Sequence, residues 1–102
     1  MDYTVSWSPE ALADVDDIAS HITRDSTFYA QSTVTKIVES AREIADFPFA
    51  ARIVPELGDE HIRERFIYSY RLIYRIHENQ ALIVAVIHGK RLLEAIDDRV
   101  KS

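Results

Sequence analysis

Three segments in the second half of the chain carry the apolar and polar patterns of β-strands. The middle one, from Tyr70 to His77, alternates between an apolar face and a mainly cationic face. The apolar face holds Tyr70, Leu72, Tyr74 and Ile76, and the opposite face holds Arg71, Ile73, Arg75 and His77. The segment from Leu82 to His88 is apolar on both faces, which indicates a strand in the middle of a sheet. Because Glu78-Asn79-Gln80 allows only a tight reversal, the two strands are predicted to form an antiparallel hairpin.

A further strand is predicted from Ile62 to Ile67. Its alternation places Arg63 and Arg65 on one face, while the other face carries Ile62, Glu64 and Phe66. Paired with the hairpin, this strand could add two guanidinium groups to those of Arg71 and Arg75. The sequence does not fix the register that decides whether they meet.

The first half of the chain predicts a short strand and two helices. Alternation of Tyr3, Val5 and Trp7 with polar residues suits a strand, and Ser8-Pro9-Glu10 suits a helix start with a capping hydroxyl, a proline and an acid at the positive end of the dipole. The apolar stripe of this helix is Ala11, Val15, Ile18 and Ile22. The acids Asp14, Asp16 and Asp17 are interpreted as a solvated face.

Asp25-Ser26-Thr27 predicts a break and a second helix cap, so the two helices should run antiparallel. The second stripe consists of Val34, Ile37, Val38, Ala41, Ile44 and Ala45. Phe47-Pro48 should end the helix, because a residue before proline is pushed out of the helical region. The segment from Phe49 to Glu60 is then predicted to be a loop.

These elements predict an α+β fold of two layers, in one domain over residues 1–102. A helical hairpin would cover one face of a four-stranded antiparallel sheet, because neither helix can bury its stripe alone. A short helix is predicted between Arg91 and Val100, with Leu92, Leu93 and Ile96 as its apolar side.

Composition limits the chemistry. The chain has no cysteine, so a disulfide framework and a thiolate metal site are excluded, and its four histidines lack ligand spacing. We expect neither a metal nor a cofactor. No apolar run approaches the ~18 residues of a membrane span and no leader pattern precedes the first strand, so a cytoplasmic location without membrane contact is expected.

The net charge of −5 is distributed unevenly. Residues 1–60 hold 12 acidic and 4 basic residues, whereas residues 61–102 hold 5 acidic and 8 basic residues. An acidic first half counts against extended nucleic-acid binding, yet a small anion site on the sheet stays possible.

The order of motifs resembles the toxins of the RelE/ParE superfamily of type II toxin–antitoxin systems. The resemblance lies in Ile-Arg-Glu-Arg-Phe from residue 62, Tyr-Arg-Leu-Ile-Tyr-Arg-Ile from residue 70, and Ile-His-Gly-Lys-Arg from residue 87. It implies a cognate antitoxin that covers apolar grooves along the helices and the sheet, a toxin–antitoxin hetero-oligomer, growth inhibition and plasmid stabilisation.

The superfamily offers two targets. A RelE-type toxin cleaves messenger RNA on the ribosome, and the positions that look like its basic residues are Arg63, Arg65, Arg71 and Arg91. Because arginine stays protonated, proton transfer in such a nuclease would fall to His88. The chain has no tyrosine after Tyr74, where several RelE-like nucleases carry one, and this departure weakens the nuclease hypothesis.

A ParE-type toxin inhibits DNA gyrase and needs no proton transfer. The ending Val-Ile-His-Gly-Lys-Arg is more similar to this branch, so gyrase inhibition is the favoured hypothesis and ribosome-dependent cleavage the alternative. A third possibility is a protein of this fold that retains antitoxin binding and has lost toxicity. Under gyrase inhibition the same five residues would be target contacts. Two structural alternatives stand beside both: the arginines pair with acids such as Glu64 or Glu78, and His88 hydrogen-bonds backbone at a strand end. The tyrosines Tyr68, Tyr70 and Tyr74 are interpreted as core or rim packing.

Overall fold

The computed structural model describes residues 3–90 and 97–101, and it confirms the predicted two-layer α+β architecture. The elements in chain order are β1 (Thr4–Trp7), α1 (Pro9–Thr23), α2 (Thr27–Asp46), β2 (Arg52–Ile53), β3 (Ile62–Ile67), β4 (Tyr70–His77), β5 (Gln80–His88) and α3 (Asp97–Lys101).

The sheet has five strands in the order β1-β5-β4-β3-β2, one more than predicted. The additional strand, β2, lies inside the segment predicted to be a loop and pairs Arg52 with Glu64 and Ile53 with Arg63. Two residues are too few to show a period of two, which is why the pattern missed this strand. The antiparallel prediction holds for β2 to β5 and is wrong for β1, which runs parallel to β5 with Thr4 opposite Gln80.

The helix ends are the predicted ones. The Ser8 side chain accepts a hydrogen bond from the backbone N–H of Ala11 at 3.0 Å, and Pro9 occupies the first turn of α1. The Ser26 hydroxyl accepts from the backbone N–H of Tyr29 at 3.2 Å and caps α2. Phe47 leaves the helical region with φ −139°, because Pro48 follows it.

Both faces of the sheet are buried, by different elements. The helical hairpin covers one face, here called the helix face, and its core includes Ile37, Ile44, Leu72, Tyr74 and Ile83. The other face, here called the open face, is covered by the segment after β2 and by α3. Its core includes Val54, Ile73, Val84, Ile87 and Val100. Of the predicted C-terminal helix, residues 91–96 lie outside the described residues, and with them Arg91, Leu92, Leu93 and Ile96.

A β-bulge in β5 determines the face of the sheet on which the last residue of the strand lies. Ile73 pairs with Ala85 and Tyr74 with Ile83, so Val84 is an extra residue on β5. The alternation of β5 shifts by one position there. His88 therefore pairs with Tyr70 and lies on the helix face, where an unbroken strand would have placed it on the open face.

Asp14 corrects one prediction about the acids of α1. Asp16 and Asp17 are exposed as predicted. Asp14 instead accepts the backbone N–H of Val86 at 3.0 Å and pairs with Arg99 of α3 at 2.7 Å. Because β1 ends at Trp7, it leaves the edge of β5 beyond Ile83 without a neighbouring strand, and the Asp14 carboxylate satisfies an amide of that edge.

Candidate functional site

The candidate arginines lie on opposite faces of the sheet. Arg63 pairs with Tyr74 and Arg65 with Leu72, which places both on the helix face. Arg71 pairs with Phe66 and lies on the open face. The register therefore separates Arg63 and Arg65 from Arg71 and Arg75, and the guanidinium groups do not form one cluster. Arg91 lies outside the described residues.

Arg71 is a buried cation held between two carboxylates, with 4% of its surface exposed. Its Nε donates to Oε1 of the fully buried Glu64 at 2.6 Å. Its two terminal nitrogens donate to the two oxygens of Glu56 at 2.7 and 2.8 Å. Arg52 also donates from Nε to Glu64 at 2.8 Å. The pairing of Arg71 with Glu64 was one of the structural alternatives, and this geometry directs the guanidinium toward protein acids.

The protonation equilibria agree with this arrangement. The bidentate hydrogen bond from Arg71 lowers the pKa of Glu56 to about 2. The same bond raises the pKa of Arg71 further above its usual value, with Glu64 adding to the effect. Arg71 is therefore a permanently charged structural group that ties the segment after β2 to the sheet.

Arg63 holds the chain around β2 through backbone carbonyls. Its Nε donates to the Glu60 oxygen at 2.8 Å, and its Nη1 donates to the oxygens of Ala51 at 2.9 Å and Phe49 at 3.2 Å. The guanidinium also lies 5.2 Å from the centre of the Phe49 ring. These contacts give Arg63 a structural role.

Arg65 is paired with Glu43 of α2, a residue that the sequence did not single out. Thirty per cent of the Arg65 side chain and 60% of the Glu43 side chain are exposed, so the pair can be reached from solvent. Glu43 lies on the polar side of its helix, and no pattern in the sequence indicates that α2 crosses β3 at this point.

His88 ends β5 and is exposed. Its Nδ1 accepts the backbone N–H of Lys90 at 3.2 Å, so in the neutral ring Nε2 carries the proton. The ring packs edge-on against Tyr70 with centroids 5.9 Å apart. The backbone contact is the one that the structural alternative for His88 predicted.

A cavity of about 480 Å³ opens beside His88 on the helix face. It lies where the end of α1, the start of α2 and the turn between β3 and β4 meet. We call it the tyrosine cavity, and define it by His21, Tyr29, Ser32, Tyr68, Tyr70 and His88. Tyr70 is half-buried, whereas Tyr68 and Tyr29 are 64% and 65% exposed.

The third tyrosine of the second half, Tyr74, lies in the core as predicted. Its hydroxyl donates to the Pro48 oxygen at 2.5 Å. Burial raises the pKa of Tyr74 to about 12.

An apolar groove of about 430 Å³ runs between β1, α1 and α2. We call it the helix groove, and its lining includes Val5, Trp7, Leu12, Val15, Val38 and Ala45. Leu12 is 52% exposed and Val38 40% exposed, so apolar surface faces solvent there. The two helices are antiparallel, so the helix groove and the tyrosine cavity lie at opposite ends of the hairpin.

A larger cavity of about 730 Å³ lies at the far end of β4 and includes His61 and His77 in its lining. Its ionisable groups form separate pairs, with His61 Nδ1 3.6 Å from Asp59 and His77 Nε2 3.9 Å from Glu78. Within residues 3–90 and 97–101, no group of three or more histidines, aspartates or glutamates is placed to hold a metal ion. No helix in the same part of the chain is long and apolar enough to span a bilayer.

Comparisons with known proteins agree with this fold. The structure is similar to a chromosomal ParDE toxin–antitoxin system from P. aeruginosa, with a TM-score of 0.71, 18% identity, and coverage of 86% of this chain and 97% of that one. It is also similar to a YoeB dimer from Staphylococcus aureus, with a TM-score of 0.58, 18% identity, and coverage of 86% and 98%. No curated protein matches the chain significantly. Residues 5–93 match the model of the family described as the ParE toxin of the type II toxin–antitoxin system parDE. The chain therefore belongs to the ParE toxin family, as its resemblance to the RelE/ParE superfamily predicted.

Proposed function

We propose that this toxin stops growth by inhibiting DNA gyrase in the cytoplasm and is neutralised by a cognate antitoxin. The observation that carries the proposal is the engagement of Arg71 by Glu56 and Glu64 on the open face. A gyrase inhibitor needs a contact surface, whereas a nuclease needs cations gathered around the reacting phosphate.

The other candidate residues support the same choice. Cleavage by a 2′-hydroxyl requires a base, an acid and cations for the developing charge. Arg63 is committed to backbone carbonyls, and the Nδ1 of His88 is occupied by the N–H of Lys90. Arg63 and Arg65 both lie on the face of His88 and are partly exposed, but of the two only Arg65 is bonded to an accessible side chain, that of Glu43.

Ribosome-dependent cleavage is the second candidate function, and one observation favours it. Arg65 and Glu43 form an accessible ion pair on the same face as His88. A carboxylate, a guanidinium and an imidazole are the group types that such a cleavage uses.

The helix groove supports the antitoxin part of the proposal. An amphipathic helix binds by laying apolar residues into a hydrophobic groove, and the exposed surface of Leu12 and Val38 offers such a site. The complex would be a toxin–antitoxin hetero-oligomer that buries this apolar surface.

Pulse-labelling after induction without the antitoxin tests the target. With gyrase as the target, DNA synthesis falls before protein synthesis, and the purified toxin blocks supercoiling by gyrase. An early fall of protein synthesis with intact supercoiling would instead establish the nuclease function.

The variant His88→Ala adds a second test, with His77→Ala as its control. His77 is an exposed histidine at the opposite end of the sheet. A nuclease would lose most of its cleavage rate in His88→Ala and keep it in His77→Ala. A gyrase inhibitor would show no loss of a chemical step, and only its affinity for gyrase could change.

A further inference from the structure

We infer that the tyrosine cavity is the surface with which this toxin holds its target protein, and that it receives an apolar or aromatic side chain of that target. Tyr68 is the main contact residue. The inference rests on the proposed function in one respect, since it takes the target to be a protein.

The backbone of Tyr68 is the first observation. Ile67 pairs with Tyr70, so Tyr68 and Ser69 form the two-residue turn between β3 and β4. Tyr68 has φ 54° at the first turn position, where hairpins of this kind prefer glycine because a Cβ is unfavourable there. Its ring is 64% exposed, so burial of the ring does not offset this cost. Glu78 has the same turn conformation and is also exposed, so the backbone alone does not mark a site. Tyr68 differs from Glu78 in holding a large aromatic ring in the lining of the tyrosine cavity.

Neighbouring aromatic rings are the second observation. Tyr29 of α2 is 65% exposed, and its ring meets Phe28, itself 73% exposed, at a centroid distance of 5.7 Å. The hydroxyl of Tyr68 lies 3.4 Å from the Ser32 hydroxyl, which links the turn to α2. Large exposed aromatic side chains around a concavity are typical of the residues that contribute most to protein–protein binding.

The charge of the side chains that line the tyrosine cavity favours a protein partner over a nucleic acid. The side chains that define the cavity are tyrosines, histidines and a serine, and none of the described lysines or arginines lines it. A nucleic-acid site needs cations for the phosphates, and the described residues that line the cavity lack them. The excess of acidic over basic residues in residues 1–60 makes phosphate binding there still less favourable. An aromatic cavity without lysine or arginine among its described residues therefore fits a side chain of a protein better than a nucleotide.

The tyrosine cavity and the helix groove are separate sites on the helical hairpin. The cavity lies at the end of α1 and the start of α2, whereas the groove lies at the start of α1 and the end of α2. From Leu12 to Ile22 the helix rises about 15 Å. A short antitoxin helix in the groove would leave the cavity uncovered, so target contact and antitoxin contact can be lost independently by mutation.

Tyr68→Gly tests the inference, because it removes the ring and relieves the backbone at the same time. Its matched control is Glu78→Gly, since Glu78 has φ 55° at the same position of the turn between β4 and β5. Tyr29→Ala is a second variant that leaves the turn unchanged. The toxin and its variants would be compared for thermal unfolding, for antitoxin affinity and for the concentration that half-inhibits supercoiling by gyrase.

We expect Tyr68→Gly and Tyr29→Ala each to need at least tenfold more toxin for half-inhibition, with unchanged antitoxin affinity. Tyr68→Gly and Glu78→Gly should unfold at the wild-type temperature or above it, and Glu78→Gly should inhibit like the wild type. Full inhibition by both cavity variants would overturn the inference, and so would a matching loss of antitoxin affinity, which would assign the cavity to the antitoxin.

If the wild-type toxin leaves gyrase active, the proposed function fails and the inference is judged on growth arrest and nucleotide binding. Growth arrest that is lost in Tyr68→Gly and kept in Glu78→Gly supports the cavity as the target contact. Saturable binding of a single-stranded oligoribonucleotide by the wild type that is lost in Tyr68→Gly would show a nucleobase site and sink the inference.

Discussion

Arg71 and Glu64 form a buried ion pair on the open face, diagonal to each other on neighbouring strands, with Arg71 Nε 2.6 Å from Glu64 Oε1. Replacing Arg71 by Met leaves the carboxylate of Glu64 buried with less compensation. We expect a loss of about 3–5 kcal/mol in the free energy of unfolding, measured with urea. The double variant Arg71→Met with Glu64→Leu should recover most of it, because two apolar side chains can replace a buried pair. Equal losses in the single and double variants would contradict this account.

The ionisation of Glu56 should make the free energy of unfolding fall at acid pH. Its pKa is lowered from 4.5 to about 2 by the hydrogen bond from Arg71, so the folded state favours the ionised form. The contribution is present above pH 4.5 and is lost as the pH falls from there toward 2. In Glu56→Gln the free energy of unfolding should be lower at pH 7 and should decline less across this interval. Glu39→Gln, at an exposed position of α2, should keep the wild-type profile.

The ionisation of Tyr74 should make the free energy of unfolding fall at alkaline pH. Burial raises its pKa from 10 to about 12, so the folded state favours the protonated phenol. Its contribution to stability is complete below pH 10 and is lost as the pH rises from 10 to about 12. Ultraviolet titration should find a tyrosine that ionises near pH 12, and Tyr74→Phe should remove this transition. The variant should also lose about 1–3 kcal/mol, because the Pro48 carbonyl oxygen loses its buried donor.

Asp14 should stabilise both the edge of β5 and the attachment of α3. Asp14→Ala removes the acceptor of the Val86 N–H, and we expect a loss of about 1–3 kcal/mol with faster exchange of the Val86 amide. Asp14→Asn keeps an acceptor oxygen and loses the charge that pairs with Arg99, so its effect should be smaller. Asp17→Asn, on the exposed side of the same helix, should stay within about 0.5 kcal/mol of the wild type.

Leu12 should matter for the antitoxin and little for stability. It is 52% exposed in the helix groove, so Leu12→Asp places a charge where an apolar helix would pack. We expect at least a tenfold loss of antitoxin affinity in titration calorimetry, with less than about 1 kcal/mol change in the free energy of unfolding. Leu12→Met is the control, and it should bind like the wild type. Unchanged affinity in Leu12→Asp would exclude the groove as the antitoxin site.

The parts of the fold that follow from a repeated pattern could be predicted. The caps at Ser8 and Ser26 and the strands from Ile62 to His88 depend on neighbours close in sequence, and the structure confirms them. The role of Arg71 depends on the register between β3 and β4, and the role of Asp14 depends on where β1 stops. The alternation of apolar and polar side chains along a strand gives neither its register with the next strand nor the residue at which it ends.

The candidate site was less predictable than the fold for the same reason. The face of His88 depends on the bulge at Val84, and β5 is apolar on both faces, so no break in its pattern marks the extra residue. Glu43 meets Arg65 only because α2 passes over β3. Tyr68 could have been recognised from its position, since it precedes Ser69 in a two-residue turn where glycine is the usual residue.

The pairing of β1 with β5 determines when the chain can fold during its synthesis. Thr4 lies opposite Gln80 and Trp7 opposite Ile83, so the first strand has no place in the sheet until residues near 83 have left the ribosome. A nascent chain that stops before β5 lacks the central partner of β1 and β4. The helical hairpin can form earlier, but its apolar stripe stays exposed until the sheet is complete. The sheet can therefore be completed only after the last strand has been translated, and any surface that requires the complete sheet exists only from that moment.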